Sequence, residues 1–267
     1  MSRYVISARS HFRGNDVEIR SCCAPLTQLL REYGKQTLTP LNSSTPQPLN
    51  PSTSQLFFMK FTYYFFYTLS KIIARTCFHF RVVNPENMIE SGPVILAMNH
   101  QSYFDPPLAG ICSKRAVYYL ARKTLSSLPF FGRLLPDFNV IPIDRDGNDP
   151  SSLKTIIRLL RSGNGVVLFP EGTRSPDGNL QKARSGIGLI IAKTKSPVLP
   201  MRVFGAHEAF PKDSKKIHFT PITVVLGKPI YFSEKELTPT RGHERECYQA
   251  LADRVMEEIG KLTMEKS

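Results

Sequence analysis

Hydrophobic and polar positions change their spacing repeatedly from Gly92 to the end of the chain. Short continuous apolar runs predict buried strands, and longer segments with an apolar side chain every three or four residues predict helices. The predicted strands are Val94–Met98, Ala116–Ala121, Asn139–Ile143, Gly165–Phe169, Val198–Phe204 and Phe219–Leu226. The predicted helices are Pro107–Cys112, Pro150 to a stop at Gly163, Ala183–Lys193 and Arg241–Met264. This alternation predicts an α/β fold in which helices flank a mixed, largely parallel sheet.

Two prolines add detail to this prediction. Pro142 lies inside a predicted strand, and because proline cannot donate to the sheet ladder, it indicates an irregular or edge strand. Pro150 follows Asp149 at the start of a strongly periodic segment. Proline suits the first position of a helix and aspartate suits the preceding N-cap, so this helix is expected to begin there.

Residues 1–58 differ in composition from the rest. Between Thr37 and Gln55, sixteen of nineteen residues are Ser, Thr, Pro, Asn or Gln. Such a tract has too few apolar side chains to offset the entropy lost on ordering, so we expect it to be disordered. Because an organised aromatic pattern begins at Met59, we hypothesise that residues 1–58 are a disordered or non-native extension of a domain formed by residues 59–267. A flexible tail on a genuine longer form is the alternative.

An N-terminal aromatic amphipathic helix is predicted over residues 61–80, which contain eight Phe and Tyr side chains. The uncharged run from Phe61 to Ser70 is shorter than the roughly 20 residues needed to span a bilayer. Flanking Lys and Arg side chains suit a helix that lies in the headgroup region. The same pattern also suits a first helix packed in the core, and both interpretations stay open. A secretory signal is disfavoured because no small-residue cleavage site follows Leu69.

The charge balance restricts the kind of partner. The 267-residue chain has a formal net charge of +13, and without the six basic and three acidic residues of 1–58 it keeps +10. Such a surface favours polyanionic partners, which include anionic membranes, phosphorylated substrates and nucleic acids. The sequence has no helix-turn-helix, zinc-finger or RNA-binding aromatic pattern, so nucleic acid is not expected. The five cysteines form no C-x-x-C pair, which is typical of reduced thiols in a cytoplasmic protein.

Candidate chemistry first appears after the strand Val94–Met98, where His100 is followed five residues later by Asp105. Imidazole can remove a proton from an alcohol near neutral pH, and a carboxylate on its other nitrogen fixes the tautomer. No serine or cysteine stands in a G-x-S-x-G context, which favours direct attack by a substrate hydroxyl over a covalent enzyme intermediate. Taken alone, the pair is more typical of a helix-capping aspartate and a loop histidine.

Further polar clusters follow other predicted strands, where α/β proteins place their sites. Arg145 follows one strand, and the run Glu171-Gly-Thr-Arg174 follows another. Arginine suits bidentate phosphate binding, and a glycine lets backbone amides approach an anion. Singly, however, Arg145 suits a surface ion pair, Glu171 a helix cap and Arg174 a solvated side chain.

In combination these blocks resemble the 1-acylglycerol-3-phosphate acyltransferase family, whose members carry an H-x4-D motif. The similar segments, in order, are Asn99–Asp105, Lys123–Arg145, Phe169–Ser175 and Val198–Met201, and the resemblance covers about residues 59–235. Two features depart from the family pattern. Pro142 stands where a plain apolar residue is expected, and the basic segment Gln181–Gly186 matches only loosely, which leaves the acceptor headgroup less well defined than the reaction.

The resemblance implies a 1-acylglycerol-3-phosphate O-acyltransferase of phospholipid biosynthesis. Its expected reaction moves a fatty acyl group from acyl-CoA or acyl carrier protein to the free sn-2 hydroxyl of lysophosphatidic acid, giving phosphatidic acid. By resemblance, His100 is the general base and Asp105 orients it. The implied phosphate and headgroup site comprises Arg145, Glu171, Gly172, Thr173 and Arg174. An acyl groove or membrane contact is expected at an apolar set that ordinary core packing would also explain: Leu125, Leu128, Phe130, Phe131 and Leu134.

The resemblance implies no cofactor beyond the acyl donor and no metal, because backbone amides can polarise a thioester carbonyl. Expected partners are a lysophospholipid, the acyl donor and an anionic phospholipid surface, with the protein peripheral or monotopic on the cytoplasmic face of the membrane. Two alternatives remain. One changes the acceptor to another lysophospholipid, glycerol phosphate or an amino-acid lysolipid, and the other is a module that binds anionic lipid without catalysis.

Overall fold

The computed structural model describes residues 53–122, 138–143, 150–212, 214 and 216–264, all within one compact unit of residues 51–267. The helices are α1 (Thr53–Phe78), α2 (Asp105–Cys112), α3 (Pro150–Arg161), α4 (Ser185–Thr194), α5 (Ala206–Ala209), α6 (Glu234–Leu237) and α7 (Glu244–Lys261). The strands are β1 (Arg81–Val83), β2 (Val94–Met98), β3 (Val117–Arg122), β4 (Val140–Ile143), β5 (Gly165–Leu168), β6 (Val198–Phe204) and β7 (Thr223–Leu226).

These strands form one sheet in the order β1-β7-β6-β2-β5-β3-β4. All of these neighbouring strands run parallel except β6 and β7, which pair antiparallel. β2 and β5 are continuous apolar runs because both faces of a parallel sheet are covered. The predicted α/β fold with a mixed, largely parallel sheet is therefore confirmed. β4 lies at the edge, which is the position that Pro142 indicates, since a proline cannot donate to a further strand.

Alternate residues of each strand point into two separate hydrophobic layers, as the period of two requires. In β2, Val94, Leu96 and Met98 pack in the layer that contains α1 and α2. Ile95 and Ala97 pack in the opposite layer with α3, α4 and α7. β2 is thus buried on both faces at the middle of the sheet, so that the loop at its carboxyl end is held on a rigid support.

Several predicted bounds need correction. The last predicted strand, Phe219–Leu226, is a strand only over Thr223–Leu226, because Pro221 lacks the N–H that a ladder position would use. The terminal helix runs from Glu244 to Lys261, since Gly242 adopts a left-handed φ of 87° and Leu262 is extended. The short elements β1, α5 and α6 were not predicted, and neither was a 3-10 helix at Pro85–Asn87.

Helix α1 begins at Thr53 and so runs through the predicted boundary between Phe58 and Met59. One of its faces packs on the core through Ala74 and Phe78. The opposite face exposes apolar side chains spaced about a helical turn apart, namely Phe61, Phe65, Leu69 and Ile72. The predicted disorder of residues 1–52 lies outside the described residues, and the proposal that residues 1–58 are an extension stays a prediction.

Over the part of the chain that the structure describes, no helix combines the length and the hydropathy that crossing a membrane requires.

Candidate active site

The predicted histidine and aspartate meet where β2 ends and α2 begins. Asn99 anchors the connection, because its side-chain oxygen accepts a hydrogen bond from the Val203 N–H at 2.8 Å and its amide donates to the Val203 carbonyl at 3.3 Å. His100 follows as a buried residue, and Asp105 is the fully buried first residue of α2. The helix therefore starts two residues before the predicted Pro107, and Asp105 lies inside the helix rather than at its N-cap.

His100 and Asp105 form a direct contact, with Nδ1 of the imidazole 2.8 Å from Oδ2 of the carboxylate. The same oxygen accepts hydrogen bonds from the backbone N–H groups of Gln101 at 2.5 Å and Ser102 at 2.7 Å. The carboxylate therefore does two things: it closes the loop between strand and helix, and it holds the imidazole. An Nδ1–H donated to Asp105 leaves Nε2 as the ring nitrogen able to accept a proton.

Phe169 fixes the plane of the imidazole. Its ring is stacked on that of His100, with the centroids 4.0 Å apart and the planes inclined by 16°. This residue ends the apolar run that contains β5, and its sequence context alone indicates no role at the site. A stacked ring on one face and a carboxylate on one edge together hold the histidine in a single orientation.

Glu171 lies in the turn that follows β5, beside the loop that carries His100, and is buried, with 2% of its surface exposed. Its Oε1 accepts a hydrogen bond from the backbone N–H of His100 at 3.1 Å. Burial raises the pKa of Glu171 to about 7, and the negative charge of Asp105 also raises it, whereas the hydrogen bond from His100 acts in the opposite direction. The carboxylate therefore contacts the backbone that carries the histidine and titrates close to neutrality.

Gly172 allows the loop after Glu171 to turn. Its φ is +69°, and a Cβ at this position would lie 2.7 Å from Cδ of Arg184. Glycine is suited to both demands because it has no side chain and adopts positive φ without strain. Beyond the turn, the N–H of Ser175 donates to the carbonyl of His100 at 2.7 Å. Both backbone polar groups of His100 are thus bonded to the segment Glu171–Ser175.

Arg174 is held differently from the way its sequence context suggests. Its guanidinium carbon lies 3.5 Å from the centroid of the Tyr103 ring, within the loop between His100 and Asp105. Its Nη1 is buried and has no hydrogen-bond partner among the described residues. The structure therefore brings this arginine against the loop that carries His100 and leaves its Nη1 donor without a described partner. A buried arginine donor of this kind is suited to an anionic ligand.

The remaining predicted site residues divide into two groups. Thr173 is half-buried in the same turn. Arg145 and the predicted groove residues Leu125, Leu128, Phe130, Phe131 and Leu134 lie outside the described residues. Within the described ranges, no three His, Cys, Asp or Glu side chains are grouped so that they could hold a metal ion.

The comparison with known families agrees with the motifs. Residues 79–204, which include both the histidine loop and the Glu171 turn, match the model of the Acyltransferase family. Residues 79–204 are therefore similar to an Acyltransferase domain, and the resemblance predicted from the four blocks is confirmed.

Two relatives show which proteins the chain is similar to. The chain is 35% identical over 159 residues to the 1-acyl-sn-glycerol-3-phosphate acyltransferase BAT2, chloroplastic, of Brassica napus. The aligned region covers 57% of this chain and 45% of that protein. It is 29% identical over 187 residues to the 1-acyl-sn-glycerol-3-phosphate acyltransferase of Bacillus subtilis, covering 68% and 89% of the two chains. The matched region thus spans less than half of the plant relative but most of the bacterial one.

A solved structure shares the architecture. The crystal structure of the 1-acyl-sn-glycerophosphate (LPA) acyltransferase, PlsC, from Thermotoga maritima superposes with a TM-score of 0.60 over 90% of each chain. The sequences are 21% identical, so this likeness establishes a common fold.

Proposed function

We propose that this protein transfers a fatty acyl group from acyl-CoA or acyl carrier protein to the free sn-2 hydroxyl of 1-acylglycerol-3-phosphate and so produces phosphatidic acid. The observation that carries the proposal is the 2.8 Å contact between His100 Nδ1 and Asp105 Oδ2 inside the family's H-x4-D motif. The names of the relatives in Brassica napus and Bacillus subtilis support the same acceptor.

In the proposed mechanism, His100 acts as the general base. Asp105 accepts the Nδ1 proton, so Nε2 takes the proton of the acceptor hydroxyl as the oxygen attacks the thioester carbonyl. The carbon–sulfur bond then breaks, and the imidazolium returns its proton to the departing thiolate. The protein itself forms no covalent bond to the acyl group. Stacking on Phe169 and the backbone contact with Glu171 hold the imidazole in place through both proton transfers.

Arg174 supplies the positive charge for the acceptor's phosphate. Its Nη1, which lacks a partner among the described residues, is the kind of donor that a phosphate oxygen would satisfy. Arg145 is proposed, from the family resemblance alone, as a second phosphate ligand. Glu171 takes a positioning role in this scheme, because its carboxylate is buried against the His100 backbone rather than open to a headgroup.

Both substrates are amphiphiles, which places the reaction at a lipid surface. The exposed side chains Phe61, Phe65, Leu69 and Ile72 give α1 an apolar stripe, and the net charge of +10 over residues 59–267 favours anionic lipid. We therefore propose that α1 rests on the membrane with its apolar face in the headgroup region. Peripheral binding to the cytoplasmic face is part of this proposal.

The test is release of free thiol from acyl-CoA by the purified protein, with 1-acylglycerol-3-phosphate, lysophosphatidylcholine, glycerol 3-phosphate or no acceptor. The proposal predicts thiol release that depends on 1-acylglycerol-3-phosphate, together with formation of phosphatidic acid. Thiol release that depends on another acceptor would show that the proposed acceptor is wrong and the proposed reaction class is right. Lipid binding without thiol release from acyl-CoA or acyl carrier protein would favour a non-catalytic module.

A further inference from the structure

Arg174 rests on an aromatic ring that belongs to the histidine loop itself. Tyr103 lies three residues after His100 and two before Asp105, and the Arg174 guanidinium carbon is 3.5 Å from its ring centroid. From this contact we propose that Tyr103 is a positioning residue, whose ring face orients the Arg174 guanidinium for the phosphate of the acceptor. The inference rests on the proposed function and concerns recognition of the phosphate, not the proton transfer.

The geometry of a stacked guanidinium supports this role. A guanidinium that is held through its flat face keeps its N–H donors in the plane, where they can bind two oxygens of a phosphate side by side. An aspartate or glutamate partner would instead occupy those donors. Nη1 of Arg174 is buried with no hydrogen-bond partner in the described part of the chain, so the ring fixes the cation while a donor remains available.

Tyr103 can fix the arginine only if its own ring is held. The ring packs on Phe210, with centroids 5.3 Å apart, and Phe104 packs on Phe210 at the same distance. Phe210 is anchored in turn, because its carbonyl accepts a hydrogen bond from Ser102 Oγ at 2.8 Å. Tyr103 is nevertheless 52% exposed. A large aromatic side chain that is backed by a fixed residue and open to solvent is typical of a binding surface rather than a core.

The contact uses the face of the ring and not the hydroxyl. Tyr103→Phe therefore keeps the stacking partner, whereas Tyr103→Leu removes it and frees the guanidinium to sample other orientations. A lost cation–π contact at a partly exposed site corresponds to a roughly 5- to 20-fold rise in the Michaelis constant for the phosphate-bearing acceptor. The Michaelis constant for acyl-CoA and the value of kcat should stay within about twofold, because the His100–Asp105 contact is untouched.

A double-mutant cycle separates a role through Arg174 from a direct one. Arg174→Ala should raise the Michaelis constant for 1-acylglycerol-3-phosphate, and adding Tyr103→Leu to it should have no further effect. Tyr231→Leu removes another exposed tyrosine, outside the site, and serves as the matched control with no effect expected. The inference would be overturned if Tyr103→Leu raised this Michaelis constant equally with and without Arg174. It would also be overturned if Tyr103→Leu lowered only kcat, or if Tyr103→Phe raised the Michaelis constant as much as Tyr103→Leu.

Failure of the proposed function can be told apart from failure of this inference. If the wild-type protein transfers no acyl group, the proposed function fails, and the positioning role is tested by binding alone. The measurement is the rise in melting temperature on adding 1-acylglycerol-3-phosphate, compared with monoacylglycerol, which lacks the phosphate. The inference predicts that Tyr103→Phe keeps the phosphate-dependent rise and Tyr103→Leu loses most of it. Equal rises in both variants would contradict it.

Discussion

His100 and Glu171 are 71 residues apart, and the N–H of His100 donates to Oε1 of Glu171 at 3.1 Å. The pairing of β2 with β5 has the same offset, since Val94 lies beside Gly165 and Ala97 beside Leu168. The parallel register of two buried strands thus continues past their carboxyl ends and brings the histidine loop to the Glu171 turn. The sheet itself therefore sets the distance between the proposed base and the proposed phosphate site.

The raised pKa of Glu171 predicts a specific pH dependence of stability. Its folded-state pKa is about 7 against an ordinary 4.5, so the folded protein binds this proton more tightly than the unfolded chain. The corresponding stabilisation is fully present below pH 4.5 and is lost as the pH rises to 7. Relative to Glu171→Gln, which does not titrate, the wild type should lose on the order of 1–3 kcal/mol of unfolding free energy between pH 4.5 and 7.5.

Urea unfolding of both proteins at these two pH values checks this expectation. The amide introduced by Glu171→Gln keeps an oxygen that can accept from the His100 N–H, so the comparison isolates the charge. If the difference in unfolding free energy between wild type and Glu171→Gln is the same at both pH values, the pKa of Glu171 is not raised by burial.

Asp105→Asn should lower kcat by about 10²-fold or more. An amide nitrogen placed at Nδ1 of His100 favours the tautomer with the proton on Nε2, which cannot accept the proton of the hydroxyl. The measurement is the steady-state rate of thiol release, with the melting temperature of each variant as a check on folding, because Asp105 also binds the N–H groups of Gln101 and Ser102. Asp253→Asn on α7 is the control. A rate within threefold of wild type for Asp105→Asn would contradict the tautomer argument.

Gly172→Ala should destabilise the protein by roughly 1–2 kcal/mol, because alanine strains at positive φ. The added Cβ would also displace the side chain of Arg184, which lies 2.7 Å from its position. Gly186→Ala is the matched control. Gly186 lies in α4 with no described atom within 4 Å of the added Cβ, so alanine there should stabilise by up to about 1 kcal/mol. Denaturant unfolding measures both, and equal effects would exclude backbone strain at Gly172.

Replacing Phe61 and Phe65 by serine should weaken binding to anionic phospholipid vesicles by about tenfold or more, because each substitution removes an exposed apolar side chain from α1. Vesicle sedimentation measures the bound fraction. Tyr231→Ser, which removes an exposed ring elsewhere, should leave binding unchanged. An unaltered bound fraction in the double variant would remove α1 from the proposed membrane contact.

The sequence predicts the strands well where they are fully apolar. Val94–Met98 has the predicted bounds because burial on both faces leaves an uninterrupted apolar run. Val198–Phe204 also has the predicted bounds, although Arg202 interrupts its apolar run. β1 escapes prediction because Arg81–Val83 is three residues long and only partly buried. Short edge elements carry too few positions for a period to be recognised.

The candidate site is predictable in its residues but only in part of its contacts. The spacing of His100 and Asp105 places both groups on one strand-to-helix connection, so their contact could be anticipated. The contact between Tyr103 and Arg174 could not be anticipated, because it depends on which strands are neighbours in the sheet. Parallel neighbours leave no local pattern in the sequence. The same reason hides the stacking of Phe169 on His100.

The proposed mechanism requires His100 to remove the proton of the acceptor hydroxyl. Its most direct test is the single-turnover rate of phosphatidic acid formation by wild type and His100→Ala at saturating acyl-CoA and 1-acylglycerol-3-phosphate. We expect a rate at least about 10²-fold lower for His100→Ala, with the rise in melting temperature on adding the acceptor unchanged. Phosphatidic acid formed by His100→Ala at a rate near that of wild type would contradict it.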